Sequence, residues 1–248
     1  MAAYRLSRAG LSVVVLERGS PYPPGSFART PREMRANFWA PSFGLLGLFE
    51  VWSFAHVTAI VASGLGGGSL IYANVMLRKP PETFGGWPLD HEALEPHYER
   101  VLAMQRPVRY PYDSTPKTLA FEQAAAAVGL EVERPPLAIT FAAGDSAPAP
   151  AVQLPPDGNL HGAPRRTCRL CGECDVGCNE GAKNTLDFTY LSAAAREGAQ
   201  IRACCEAIGV APDGDGGYAV FAEDTLPALK DGANNQPNTG CAQRRLFP

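Results

Sequence analysis

The sequence predicts an α/β fold: an incomplete Rossmann-like dinucleotide-binding unit, with a parallel sheet and helices, extended by a β-meander and irregular connections. Three observations carry this. The chain opens on a helix, a glycine, a buried strand and an acid; a strand runs into a glycine cluster near residue 64; and a helix followed by two strands fills 189–223.

In the first of these, Leu6 follows Ala3 by three residues and Ala9 follows Leu6 by three, a helical stripe that stops at Gly10. LSVVVL at 11–16 then reads as a short β-branched strand with Glu17-Arg18-Gly19 at its carboxyl end. In a dinucleotide-binding βαβ unit the acid at that place accepts a ribose hydroxyl, so Glu17 is the candidate; the alternative is an ordinary exposed strand-end glutamate. The strand and G-x-G-x-x-G turn that should come before the helix are not in the sequence, and Met1 stands where the helix is already under way. A fragment, or a reading frame begun too late, is the expectation.

Residues 50–63 predict one or two strands that feed Gly64-Leu65-Gly66-Gly67-Gly68-Ser69, where missing side chains let the backbone pass close to a ligand. The apolar stretch 36–54 reads either as core or as a hydrophobic lid. Helices are predicted from about His91 to Met104 and from Thr118 to Val128, the second closed by Gly129. The Ala, Pro and Gly-rich residues 142–166 predict a long surface connection. A helix capped by Thr189 is expected over about Tyr190–Glu197, then strands at Ile201–Val210 and Tyr218–Glu223. From Thr225 no period remains, and 225–248 is expected to be an irregular tail.

The chain has 248 residues, 46% of them hydrophobic, enough to bury a sizeable core. Its 25 glycines and 23 prolines imply many turns. A net charge of -3 gives no reason to expect nucleic acid as a partner. No leader pattern and no apolar run able to span a bilayer is found, so a cytoplasmic location is the default expectation, and the seven cysteines read as thiols, ligands or redox groups.

Four of those cysteines, Cys168, Cys171, Cys174 and Cys178, form a C-x2-C-x2-C-x3-C run. The spacing suits an iron-sulfur cluster, possible as a 4Fe-4S core, with Gly172 and Gly177 free to turn the loop. Zinc fits less well, because structural zinc sites set two ligand pairs further apart. In two-cluster ferredoxins the fourth cysteine of such a run serves the other cluster, and no second run exists here, although Cys204 or Cys205 offers a further ligand. A metal-free thiol cluster pinning a loop is the alternative.

Three segments together, AAYRLSRAGLSVVVLERG, SGLGGGSLIYANV and CRLCGECDVGCNEGAKNTLDFTYLSAAAREGAQI, resemble the glucose-methanol-choline (GMC) family of FAD-dependent oxidoreductases, in its cholesterol oxidase-like branch. The resemblance spans residues 2 to about 224. It implies a partial FAD-binding domain over 1–224, with a lid or substrate-proximal insertion at about 20–62 and a long connection at about 130–166. It implies Glu17 and Arg18 at the adenosine end of FAD, Gly66, Gly67, Gly68 and Ser69 against the cofactor, Asn74 near the isoalloxazine, and the backbone of Ala207 beside the adenine. Family members oxidise an alcohol or sterol by hydride transfer to the flavin, with a histidine-containing base in the C-terminal part; no catalytic residue is assigned here. Such enzymes work with FAD alone, which weakens the cluster reading. An iron-sulfur electron-transfer module and an inactive truncated product are the alternatives.

Overall fold

A computed structural model describes residues 1–214 and 216–226; the expected irregular tail, apart from Thr225 and Leu226, lies outside the described residues. Helix α1 (Ala2–Arg8) ends as its stripe predicts: Gly10 takes φ +82° and Leu11 N–H closes back on Leu6 O at 3.1 Å. The chain then enters β1 (Val14–Leu16).

Helix α2 (Pro31–Ala36) starts on a reciprocal capping box between Thr30 and Glu33. Strands β2 (Trp39–Ala40) and β3 (Leu45–Leu46) pair antiparallel. The apolar run at 50–63 resolves into a hairpin of β4 (Phe49–Ser53) and β5 (Thr58–Ala62), closed by Phe54 N–H on Val57 O at 2.8 Å. The stretch read as core or lid divides between the two: Trp39, Leu48 and Phe49 are buried, while Phe43, Trp52 and Phe54 face solvent.

Helices α3 (His91–Gln105) and α4 (Pro116–Ala127) fall within a residue or two of expectation, α4 being capped by Thr115 and followed by Gly129 at φ +74°. Residues 130–166 carry only isolated bridges, yet the segment is not confined to the surface. Ile139 and Phe141 are buried with Ala182, and the His161 side chain is 3% exposed.

Two expectations near the C-terminal side need correction. The helix expected to start at a Thr189 cap begins earlier, as a π-helical turn Asp187–Leu191 continuing into α5 (Ser192–Arg196). The Thr189 hydroxyl, instead of capping, donates to Thr185 O at 2.8 Å and accepts from Gln105 Nε2 at 3.2 Å. The strand expected over 201–210 breaks at Cys204, whose φ is +56°. Before the break, β6 (Gln200–Arg202) pairs parallel with β1; after it, β7 (Cys205–Pro212) pairs antiparallel with β8 (Tyr218–Asp224). Among the described residues the expected meander is thus one hairpin, and the parallel sheet is the β1–β6 pair.

Burial is divided among small clusters. Phe27, Leu48, Phe49, Ala62 and Leu70 form one beneath the β4–β5 base, and Cys205, Ala222 and Leu16 join the strands of the parallel unit to the C-terminal hairpin.

Candidate functional site

The strand end at Glu17 and the glycine cluster at 64–69 are far apart in sequence, and the fold brings them into contact. Gly19 makes this possible. A Cβ on Gly19 would lie 2.1 Å from the carbonyl carbon of Ser63, so only a glycine lets the strand end lie flat on the loop backbone. Ser20 and Gly64 then form a parallel bridge, with Leu65 N–H donating to Ser20 O at 3.1 Å.

The Glu17 carboxylate turns back to accept Gly19 N–H at 2.8 Å. Partial burial pushes its pKa above the ordinary carboxylate value, against the opposing pull of the Gly19 and Gly64 amides and of Arg18. Arg18 itself is engaged elsewhere. It pairs with Glu50, donates to Ser63 Oγ at 2.8 Å and stacks its guanidinium 4.9 Å from the Trp39 ring centroid.

Beyond Gly66, at φ +121°, a 3-10 turn spans Gly67–Leu70, and the space beside Gly67 and Gly68 is open where a Cβ would point. Ser69 fixes this turn: its Oγ donates to Gly66 O at 2.7 Å and accepts Leu186 N–H at 2.9 Å. Ala207 is exposed on β7, immediately before a register shift toward Gly209. Its strand starts against β1, where Cys205 N–H donates to Glu17 O at 2.9 Å. Asn74 is buried with φ +66°; its amide group is turned toward the Cys174 thiol, and its Oδ1 has no hydrogen-bond partner.

The four cysteines of the run border a single pocket together with Ile139 and Lys183. None of the six described cysteines is in a disulfide. Burial, with the neighbouring thiols adding to it, pushes Cys168 up to about 11. Gly177, at φ +95°, holds the last turn of this segment against Phe27, whose ring a Cβ there would meet at 2.0 Å.

Three site residues were not legible in the sequence. Lys183, 1% exposed, donates its Nζ to Leu70 O (3.1 Å), Tyr72 O (2.9 Å) and Cys174 O (2.8 Å), tying the glycine turn to the cysteine segment. Burial lowers its pKa to about 8, although the neighbouring thiols and the Asp175 and Asp187 carboxylates oppose that shift. Asp187 and His161 form a buried pair at 2.7 Å directly under the loop, with Asp187 Oδ1 facing Gly66. A lysine and an aspartate within GAKNTLD were the only available signal, and neither announces burial.

Residues 44–226 match the family model described as GMC oxidoreductase. The chain belongs to the GMC oxidoreductase family. It is 33% identical over 234 residues to a cholesterol oxidase of Acinetobacter baumannii, an alignment covering 89% of this chain and 41% of that protein. A cholesterol oxidase of Mycobacterium tuberculosis (strain H37Rv) is 34% identical over 213 residues, covering 81% of this chain and 36% of that one. The chain therefore spans about two fifths of the length of the curated relatives it matches. The N-terminal domain of GMC proteins is a Rossmann-like FAD-binding fold, and the parallel β1–β6 pair, with α1 packed against α5, is consistent with an α/β unit of that kind.

The residues present fit such a cofactor. An acceptor stands at the end of a parallel strand, an open glycine turn lies against it, and the turn presents backbone rather than side chains. No helix among the described residues is long and apolar enough to cross a membrane.

Proposed function

We propose that this GMC chain forms the FAD-binding part of an oxidoreductase acting on the CH-OH group of an alcohol or sterol. The observation that carries the reading is the seating of the Glu17 strand end on the open Gly66–Ser69 turn, in a chain whose relatives include cholesterol oxidases. When bound, FAD supplies a two-electron acceptor for a hydride from the carbinol carbon. The protein's own contribution is positioning: Glu17 would accept a ribose hydroxyl, Gly66, Gly67, Gly68 and Ser69 would border the pyrophosphate and flavin, and Ala207 would meet the adenine through its backbone. Arg18, held by Glu50, would support the strand end rather than grip the cofactor.

We infer that the chain alone binds FAD without turning over alcohol. None of its histidines is free to act as a base at the glycine turn: His56 is exposed on the β4–β5 connection, His91 and His97 belong to α3, and His161 is locked to Asp187. Titration of the purified chain with FAD, followed by flavin fluorescence, tests both parts. Saturable binding that Gly68→Val weakens, with no dye reduction on adding cholesterol or a long-chain alcohol, is the expected result. An absence of binding would sink the cofactor reading, and dye reduction would sink the inference of an inert chain.

A second reading, an iron-sulfur electron-transfer module in place of a flavoprotein, is favoured by one observation, the convergence of four thiols on one pocket. Flavin and iron measured on the same sample separate the two.

A further inference from the structure

We propose that His161 is a positioning residue for the cofactor: by offsetting the buried Asp187 carboxylate beneath Gly66, it allows the glycine turn to hold an anionic diphosphate. The inference deepens the FAD reading of that turn and rests on it.

Asp187 is 0% exposed and opens the π-helical turn that runs to Leu191. Its two oxygens differ. Oδ2 accepts from His161 Nε2 at 2.7 Å, since an ionised carboxylate has no proton to give, whereas Oδ1 has no hydrogen-bond partner among the described residues. That unpartnered oxygen lies 3.1 Å from where a Gly66 Cβ would stand. One thickness of backbone therefore separates a buried negative charge from the face that the FAD reading lays against the pyrophosphate. Like charges that close, with little water between them, repel strongly. The turn cannot move away from the charge, because Ser69 Oγ, which donates to Gly66 O, also accepts the N–H of Leu186, the residue next to Asp187.

The offset falls to His161. Lys183 is near enough for its charge to be felt at Asp187, but its Nζ is spent on the carbonyls of Leu70, Tyr72 and Cys174. The His161 side chain, by contrast, is in direct contact with the carboxylate, and a charge-assisted bond of this kind is stronger than one between neutral groups. Its placement is built from several bonds. Asn159 Oδ1 accepts His161 N–H at 3.0 Å, and Asn159 Nδ2 donates to Ala163 O at 2.9 Å, which folds the segment into a tight turn. Leu160 N–H donates to Ser192 Oγ at 3.0 Å, and that hydroxyl in turn donates to Asp187 O, so the two halves of the pair are tied together through their backbones as well. Phe188 closes the imidazole from the side, its ring centroid 5.4 Å away and edge-on.

The test is FAD titration of the full chain, followed by flavin fluorescence, in the wild type and three variants. His161→Leu removes the offset and should weaken FAD binding about tenfold or more. Asp187→Asn removes the charge itself, and the double variant His161→Leu/Asp187→Asn removes both; each should bind within about threefold of wild type, or more tightly. A pair that only braced the fold would behave differently, since each single variant would then weaken binding and the double variant would recover nothing. If His161→Leu does not fold, the other two variants decide, and wild-type affinity in both is the expected result. Wild-type affinity in His161→Leu, a loss of about tenfold in Asp187→Asn, or a double variant as weak as His161→Leu would each overturn the proposal. An absence of FAD binding by the wild-type chain would defeat the FAD reading and the proposal together, whereas wild-type binding with any of those three outcomes would defeat the proposal alone.

Discussion

The glycine turn and the cysteine pocket share one anchor, Lys183, yet they are built in opposite ways. The turn is made of backbone, with its shape set by what is missing: Gly19 lies on Ser63 only because it has no Cβ, and Gly67 and Gly68 leave open space. The pocket is lined mostly by residues of one short segment, its four cysteines among them, with Ile139 from elsewhere in the chain. A site made by omission depends on a distant partner segment being in place. A pocket lined mostly by one short segment carries most of its information locally.

Four substitutions break or sharpen this contrast. Gly19→Val attacks the omission directly, and with a backbone carbon at 2.1 Å there is no flexible side chain to move aside. We expect a loss of about 3 kcal/mol or more in thermal unfolding, since overpacking against backbone falls at the severe end of core substitutions. Lys183→Met removes the shared anchor and leaves three carbonyls, one buried and two partly buried, without their donor, for about 2–4 kcal/mol. It should also weaken FAD binding, because Lys183 anchors Leu70 and Tyr72 beside the glycine turn; an unchanged FAD affinity would show the turn to be independent of that anchor.

Glu17→Gln should be smaller and of the other sign. A carboxyl whose pKa is raised by burial favours folding below its unfolded value, near 4.5, and that contribution is lost as pH rises through the folded value. At neutral pH the partly buried carboxylate is therefore a cost. The glutamine variant should melt slightly higher than wild type at pH 7, with the gap closing as pH falls toward 4, and should bind FAD less tightly. A lower melting temperature at pH 7 would refute this account of Glu17. Cys171→Ser is the mildest change, within about 0.5 kcal/mol in the metal-free chain, because the residue is exposed. A large loss of stability would mean that the thiol is part of the fold.

The same contrast explains what could be read in advance. The cysteine spacing, the strand-end Glu17, the glycine run and helices α1, α3 and α4 were legible because each is a local pattern. The break at Cys204 was not, since Ala203, Cys204 and Cys205 contain no turn residue and the positive φ comes from the chain's change of partner from β1 to β8. Thr189 resembled a cap because sequence does not show that Gln105, on a distant helix, engages its hydroxyl. Lys183 and the His161–Asp187 pair were invisible for the same reason, as their burial depends on segments contributed from elsewhere in the chain. Arg18 was assigned from position alone, while its partners Glu50 and Trp39 come from the region between the strand end and the loop.

The β4–β5 hairpin has a mechanical consequence. Its base is clamped, by Arg18 on Glu50 and Ser63 and by Phe49 and Ala62 in a buried cluster, whereas Trp52, Phe54, Val57 and Ile60 toward its tip are in solvent. A two-stranded ribbon held at one end behaves as a cantilever, bending most at the tip and least at the root. Ala62 continues directly through Ser63 into Gly64, so a force applied to the tip becomes a torque at the root of the glycine turn. In hydrogen exchange the ribbon should open from Phe54 and Val57 inward, with the amide of Ser63, bonded to Leu48 O at 2.8 Å, the last to exchange.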